Sequence, residues 1–399
     1  MIMTLNELQT SLKLPRIPEA FRAVYKEIAD SWEDKASRIL SDAYITKTLT
    51  DCYALAPYRQ DILAAAGEIR KDPALCLWVC IMERLVREGS VLSDPDYCPP
   101  EGEGLGYDFL HLFPAIPTMP DSVAFLRSRN VPEDVIVGTM QEYDRSVATY
   151  KSFFKKPGFD KARLNWLRQV IRNNLMQIGR LRFELPQLLP LGIRVYRNSC
   201  GALTILADDL QVHSDGRAFG SAGHKEEDSH FFAQITETGT TLTGYPVENG
   251  LVQKAPITLE KSRWTQCLSA QDPVIKIHIP REGSFDRQAI LDSYAKAREV
   301  FAACYPDYPY KAFYCASWLL SADLQKLLKP TSNILGFQKD FTRFPFRSSG
   351  RGIFSFVYST QVSGEPDWDA LPQDTSLQRA IKEHCVNGGY IHEDAGFLF

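Results

Sequence analysis

Apolar residues recur every three or four positions along the first part of the chain and then switch to strict alternation, so two kinds of secondary structure follow one another. From Glu19 to about Gly89 the segments "EAFRAVYKEIADSW", "YRQDILAAAGEIR" and "PALCLWVCIMERLVRE" all carry the helical spacing. The stretch "SDPDYCPPEGEGLGYD" at 93–108, dense in Pro, Gly and acidic residues, reads as a surface loop. Beyond it "MPDSVAFLRSRNVPEDVIVGTMQEYDRSVATYKSFF" supplies further helix, interrupted at Asn130 to Pro132, where proline ends one helix and can open the next. A boundary is expected at "KKPGFD", giving a helical domain at 1–155 and a second domain at 156–399.

The second domain is expected to open with an amphipathic helix over "ARLNWLRQVIRNNLMQI", with Leu164, Leu167, Ile171 and Leu175 on one side. The period then changes. "GRLRFEL" alternates Leu181, Phe183 and Leu185 against Arg180, Arg182 and Glu184, the pattern of a half-buried strand. "IRVYRN", "ALTILA", "HFFAQIT", "TLTGYPV" and "VIKIHIP" read as further strands. After them come a helix at 286–303, a strand in "KAFYCASWLL", helices in "SADLQKLL" and "SNILGFQKDF", and a strand in "GIFSFVYS". "EPDWDALPQDTSLQRAIKEH" reads as an exposed loop leading into a last helix.

Composition narrows the function classes. With 399 residues, 44% hydrophobic and 24% charged content and a net charge of −4, the chain is an ordinary globular one, without the general basic field that nucleic acid or an anionic membrane surface would call for. The start lacks the charged and apolar regions of a secretory signal, and the run "ALCLWVCIM" is too short to cross a bilayer, so a cytoplasmic protein is expected. Nine cysteines with no C-x-x-C pair read as reduced thiols, and Cys76 and Cys80, one helical turn apart, as packed core. No metal site is expected: "HSDGRAFGSAGHKEEDSH" gathers His213, His224 and His230 with four carboxylates, but without compact ligand spacing, and reads as a solvated loop.

Candidate chemistry lies where a strand meets a helix. In "VIKIHIPREGSFD", His278 leaves the strand on the face opposite Ile277 and Ile279, shared with Lys276, at the strand's C-terminal end, where α/β proteins place ligands. Its near-neutral pKa suits a general base, and a hydrogen-bonded packing role is the alternative. The turn that follows offers Arg281, the amides around Gly283, Ser284 and Phe285, and a helix N-terminus, a set suited to phosphate. Cys315 and Ser317 share one face of their strand, with Tyr314, Ala316 and Trp318 on the other. A cysteine nucleophile would need a base beside it. Glu184, flanked by apolar neighbours, is either a second candidate base or the partner of Arg180 or Arg182.

The segments "IGRLRFEL", "VIKIHIPREGSF", "CASWLLSADLQKLL", "SNILGFQKDF" and "TSLQRAIKEH" together resemble a two-domain bacterial acyltransferase family, in which a helical acyltransferase N-terminal domain precedes a GNAT-like domain. The resemblance runs over nearly the whole chain. It implies an α+β fold: a helical N-terminal domain followed by a GNAT-like mixed β-sheet domain with flanking helices. It also implies that acyl-CoA, or an acyl-carrier phosphopantetheine, lies between two central strands, here "VIKIHIP" and "KAFYCAS". The expected reaction is direct transfer of the acyl group to the amine of a small molecule or peptide, with no nucleic-acid or membrane partner. His278 or Glu184 as base, and Ser317 or Cys315 lining the donor site or assisting protonation, follow from position along the strands and not from the resemblance. Two other readings stay open: a cysteine-dependent acyl-enzyme catalyst built on Cys315, and a non-catalytic acyl-thioester-binding protein.

Overall fold

In the computed structural model, which describes residues 3–88, 97–190 and 192–399, the chain divides into two compact units. The first comprises Met1–Gly179 with Val300–Cys304, the second Arg180–Glu299 with Tyr305–Phe399. Residues 93–96, the start of the expected acidic loop, lie outside the described residues.

The first unit is built from helices as the three- and four-residue spacing requires. Its central helix, Pro73–Glu88, begins with proline in the first turn and is capped by Asp72, whose carboxylate accepts from the amide of Ala74 at 2.8 Å. Leu75 to Met82 are all buried, Trp78 completely. Cys76 and Cys80 lie in this core, their thiols pushed up by burial to about 11 and about 12. Inert packing is the role that follows. Glu83 is buried on the same helix and is paired with Lys35 and Arg87. The expected helix after "KKPGFD" is shorter than its apolar pattern suggested. Asp160 caps it at Lys161, it ends at Ile171, and Asn173 with φ +59° turns the chain into a strand, β1 (Leu175–Ile178).

The second unit holds the sheets. β2 (Leu181–Leu188) leads into an inserted segment of short antiparallel strands: β3 (Ile193–Asn198), β4 (Leu203–Ala207), β5 (Leu210–His213), β6 (His230–Ala233), β7 (Thr236–Glu237), β8 (Thr241–Glu248), β9 (Leu251–Val252), β10 (Ile257–Glu260) and β11 (Trp264–Ser269). Then follow β12 (Pro273–His278), the helix Arg287–Cys304, β13 (Ala312–Ser317), β14 (Thr342–Phe344), the helix Ser376–Val386 and β15 (Asp394–Leu398). β2, β12, β13, β15 and β14 lie side by side in that order, with β12 and β13 parallel and the other neighbours antiparallel. Val274, Ala312, Tyr314, Phe344 and Phe397 on one face cluster with Ile193, Val195 and Ile205 of the inserted sheet. The fold is thus α+β, as expected.

Several elements differ from the sequence pattern, which did not mark β5, β9, β10, β11, β14 or β15 as strands. "GIFSFVYS" is a helix over Gly352–Phe356, not a strand: Ile353, Phe354 and Tyr358 are buried while Phe356 is half exposed, and so short an apolar run suits either element. The histidine-rich segment is not simply solvated. His213 is 1% exposed, stacked on His224 at 4.2 Å and on Phe219 at 4.9 Å. Among the described residues, no helix is long and apolar enough to cross a membrane, and no group of three or more His, Cys, Asp or Glu is placed to hold a metal ion. All nine cysteines are free.

Candidate active site

The site grows out of how β2 pairs with β12. Val274 lies opposite Gln187; after a break in register, Lys276 lies opposite Glu184, Ile277 opposite Phe183 and His278 opposite Arg182. Ile275 alone therefore spans two residues, Leu185 and Pro186, which is a β-bulge in β2. Glu184 and Gln187, three positions apart, would fall on opposite faces of a regular strand. The extra residue brings both to the face of Lys276 and His278.

On that face His278 Nε2 and Glu184 Oε2 are 2.6 Å apart. Gln187 Nε2 donates to the other Glu184 oxygen at 3.0 Å. The Glu184 side chain is 6% exposed and that of His278 20%, so the pair is shielded but not sealed. Burial pushes the imidazole below its ordinary 6.5; the Glu184 hydrogen bond opposes this, and the charges of Lys276 and Arg182 reinforce it. The ring is neutral at physiological pH. With Nε2 as the donor to the Glu184 oxygen, the lone pair of the neutral ring lies on Nδ1. Of the two arginines that precede it, Arg182 reaches toward Glu282 at 3.8 Å, and Arg180 donates to the carbonyl of Ser284.

Beside this pair two strands part. The parallel ladder joins Val274, Ile275 and Lys276 to Ala312, Phe313 and Tyr314, and stops there, although β12 runs on to His278 and β13 to Ser317. His278 therefore sits at the mouth of the gap. The register also separates the candidates. Lys276 faces Tyr314, so His278 shares the face of Tyr314 and Ala316, and Cys315 and Ser317 point to the other one. Cys315 is fully buried, with its thiol pushed up to about 12 by burial, and Ser317 Oγ accepts from the amide of Leu319 at 3.2 Å. The structure brings His278 and Glu184 together and leaves Cys315 and Ser317 apart from them.

The turn after β12 is organised by Arg180, one of the two arginines the sequence offered as an alternative partner for Glu184. Arg180 Nε donates to the Ser284 carbonyl at 2.7 Å, and its Nη2 to the Pro280 carbonyl at 2.8 Å. Gly283 takes φ +83°, which suits glycine. Phe285 packs edge-on against Phe337 with centroids 5.3 Å apart, an anchoring role. The helix N-terminus is partly satisfied already, because Asp286 accepts from the Ala289 amide at 2.9 Å. Arg281 lies at the surface and contacts the Ser359 hydroxyl. A cavity of about 500 Å³ elsewhere in this unit, bordered by Leu203, Pro246, Phe341 and Arg343, includes none of the candidate residues.

The family described as a GNAT-like C-terminal domain matches residues 175–398, and the one described as an N-acyltransferase N-terminal domain matches residues 43–173. The chain belongs to this two-domain acyltransferase family. It is similar in fold to a crystal structure of an acyltransferase in complex with CoA and 10C-teicoplanin, at 19% identity and TM-score 0.63, over 99% of each chain. A crystal structure of acyltransferase in complex with decanoyl-CoA and teicoplanin is similar at 18% identity and TM-score 0.62, again over 99% of each. No curated protein sequence matches the chain.

Proposed function

We propose that the protein is an N-acyltransferase that moves an acyl group from an acyl-CoA thioester directly to an amine of a small-molecule or peptide acceptor. The observation that carries this reading is the His278–Glu184 pair, 2.6 Å apart, at the mouth of the gap between β12 and β13. The parted strands leave room for an extended thioester arm with its carbonyl near His278. The turn Arg281–Phe285, drawn in by Arg180, is where the donor's phosphates would lie.

In the reaction the amine nitrogen attacks the thioester carbonyl, the C–N bond forms and the C–S bond breaks. His278 Nδ1 takes the proton that the amine loses, and Glu184 steadies the imidazolium that results. That proton then passes to the departing thiolate, which leaves as a thiol. A covalent route through Cys315 has less support: the thiol is buried, raised to about 12 and on the face away from His278.

One of the similar solved structures is in complex with decanoyl-CoA and teicoplanin, which supply the probes. Incubation of the purified chain with decanoyl-CoA and an amine-bearing glycopeptide, followed by mass spectrometry, should give decanoylated acceptor and free CoA in equal amounts. Binding without turnover across a panel of amines would favour a thioester-binding protein. An acylated Cys315 peptide would favour the covalent route. Replacing decanoyl-CoA with a decanoyl carrier protein tells whether CoA or a carrier brings the donor arm.

A further inference from the structure

The Glu184 carboxylate has two oxygens, and only one meets His278. The other accepts from Gln187 Nε2 at 3.0 Å, an amide brought to this face by the bulge. The Gln187 backbone is itself fixed: its amide donates to the Tyr308 hydroxyl at 2.9 Å, and that hydroxyl lies 2.7 Å from the Gln187 carbonyl and 2.9 Å from that of Val274. Tyr308 thus bridges β2 and β12 where the bulge interrupts their ladder. A carboxylate pinned at one oxygen by a fixed donor loses its freedom to rotate and presents the second oxygen in one direction.

We propose that Gln187 is a positioning residue: through Glu184 it holds the His278 imidazole in one orientation, with the proton on Nε2 and the lone pair on Nδ1. This rests on the reading of His278 as base only for its effect on rate; the orientation of the ring is a separate matter. The charged groups facing the imidazole are Glu184 and Arg182 from β2 and Lys276 from its own strand.

The test uses the full chain labelled with ¹⁵N-histidine, with the His278 signals assigned by their loss in His278→Gln. In the wild type the neutral ring should show a single tautomer, protonated at Nε2. Gln187→Met removes the donor at similar volume, and the signals should move toward a mixture of tautomers. kcat with decanoyl-CoA should fall about tenfold to a hundredfold, with KM for the donor within about twofold. Gln187→Glu, nearly isosteric, sets a second carboxylate against Glu184 and should raise the His278 titration midpoint by about one pH unit or more. Tautomer and midpoint unchanged in both variants would overturn the proposal, and Gln187→Glu decides alone if Gln187→Met does not fold. Shifted signals with unchanged kcat would support the positioning of the ring and remove His278 as the base.

Discussion

Arg180 Nε donates to the carbonyl oxygen of Ser284 at 2.7 Å, so a side chain at the start of one strand sets the shape of the turn that follows another. If this turn receives the donor's phosphates, Arg180→Ala should raise KM for a CoA thioester about tenfold with little change in kcat, because a charged hydrogen bond that holds the turn is lost. Arg281→Glu, at the exposed end of the same turn, should weaken donor binding and leave the unfolding midpoint near wild type. Isothermal titration with decanoyl-CoA checks both, and unchanged affinity in both would place the phosphates elsewhere.

His278→Ala should lower kcat by about 10²–10⁴-fold while donor affinity changes far less. In the wild type, activity is lost as His278 takes up a proton. Because burial holds its pKa below 6.5, the acid limb of kcat/KM should lie below that value. An acid limb above 6.5, or a variant that loses stability but keeps its rate per folded molecule, would make His278 a packing residue.

Cys315→Ala should leave turnover within about threefold of wild type and lower the denaturation midpoint slightly, as expected for removing a buried sulfur. Intact-protein mass spectrometry during turnover should detect no acylated enzyme in either protein. A rate loss comparable with that of His278→Ala would return Cys315 to the chemistry.

His111 and Tyr97 provide a test in the first unit. Their side chains approach to 3.0 Å in a buried setting, and burial pushes His111 down to about 3. The unfolded chain binds a proton at this position near 6.5 and the folded chain only near 3. Between those values the unfolded state holds more protons, so stability is lost as pH falls, by up to about 1.4 kcal/mol per pH unit from this group. Urea midpoints at pH 7, 5 and 4 should fall less steeply in His111→Gln than in the wild type. Parallel slopes would mean that His111 titrates normally.

The helical region, the strands β2, β3, β4, β6, β8, β12 and β13, and His278 at a strand end were legible from apolar spacing, which reports which face of an element is buried. Its reach stops at pairing. Nothing in "RLRFEL" says that Glu184 meets His278, 94 residues away: Pro186 just beyond it marks a break in the ladder, since proline inside a central strand sits at a bulge, but not which residues the shifted register brings together. Cys315 and Ser317 show the same limit: alternation placed them together, and only the parallel register put them on the face away from His278. β15 went unseen because "DAGFLF" at the chain end is short and carries glycine, yet it lies between β13 and β14. His213 was hidden in a polar segment whose charged residues outweighed one buried ring.

The bulge opposite Ile275 also sets how this region can tolerate length changes. Loss of one residue between Glu184 and Gln187 would let β2 pair with β12 as a regular strand, and the sheet could survive. Gln187 would then stand two positions from Glu184, opposite Val274 and on the same face, so its hold on Glu184 would persist; loss of both residues would make the two adjacent and turn Gln187 to the opposite face. Within these few positions, loss of one residue should be absorbed more readily than loss of two. Among variants recovered by random mutagenesis and selection for activity, single deletions at Leu185 or Pro186 should be found and deletions of both should not.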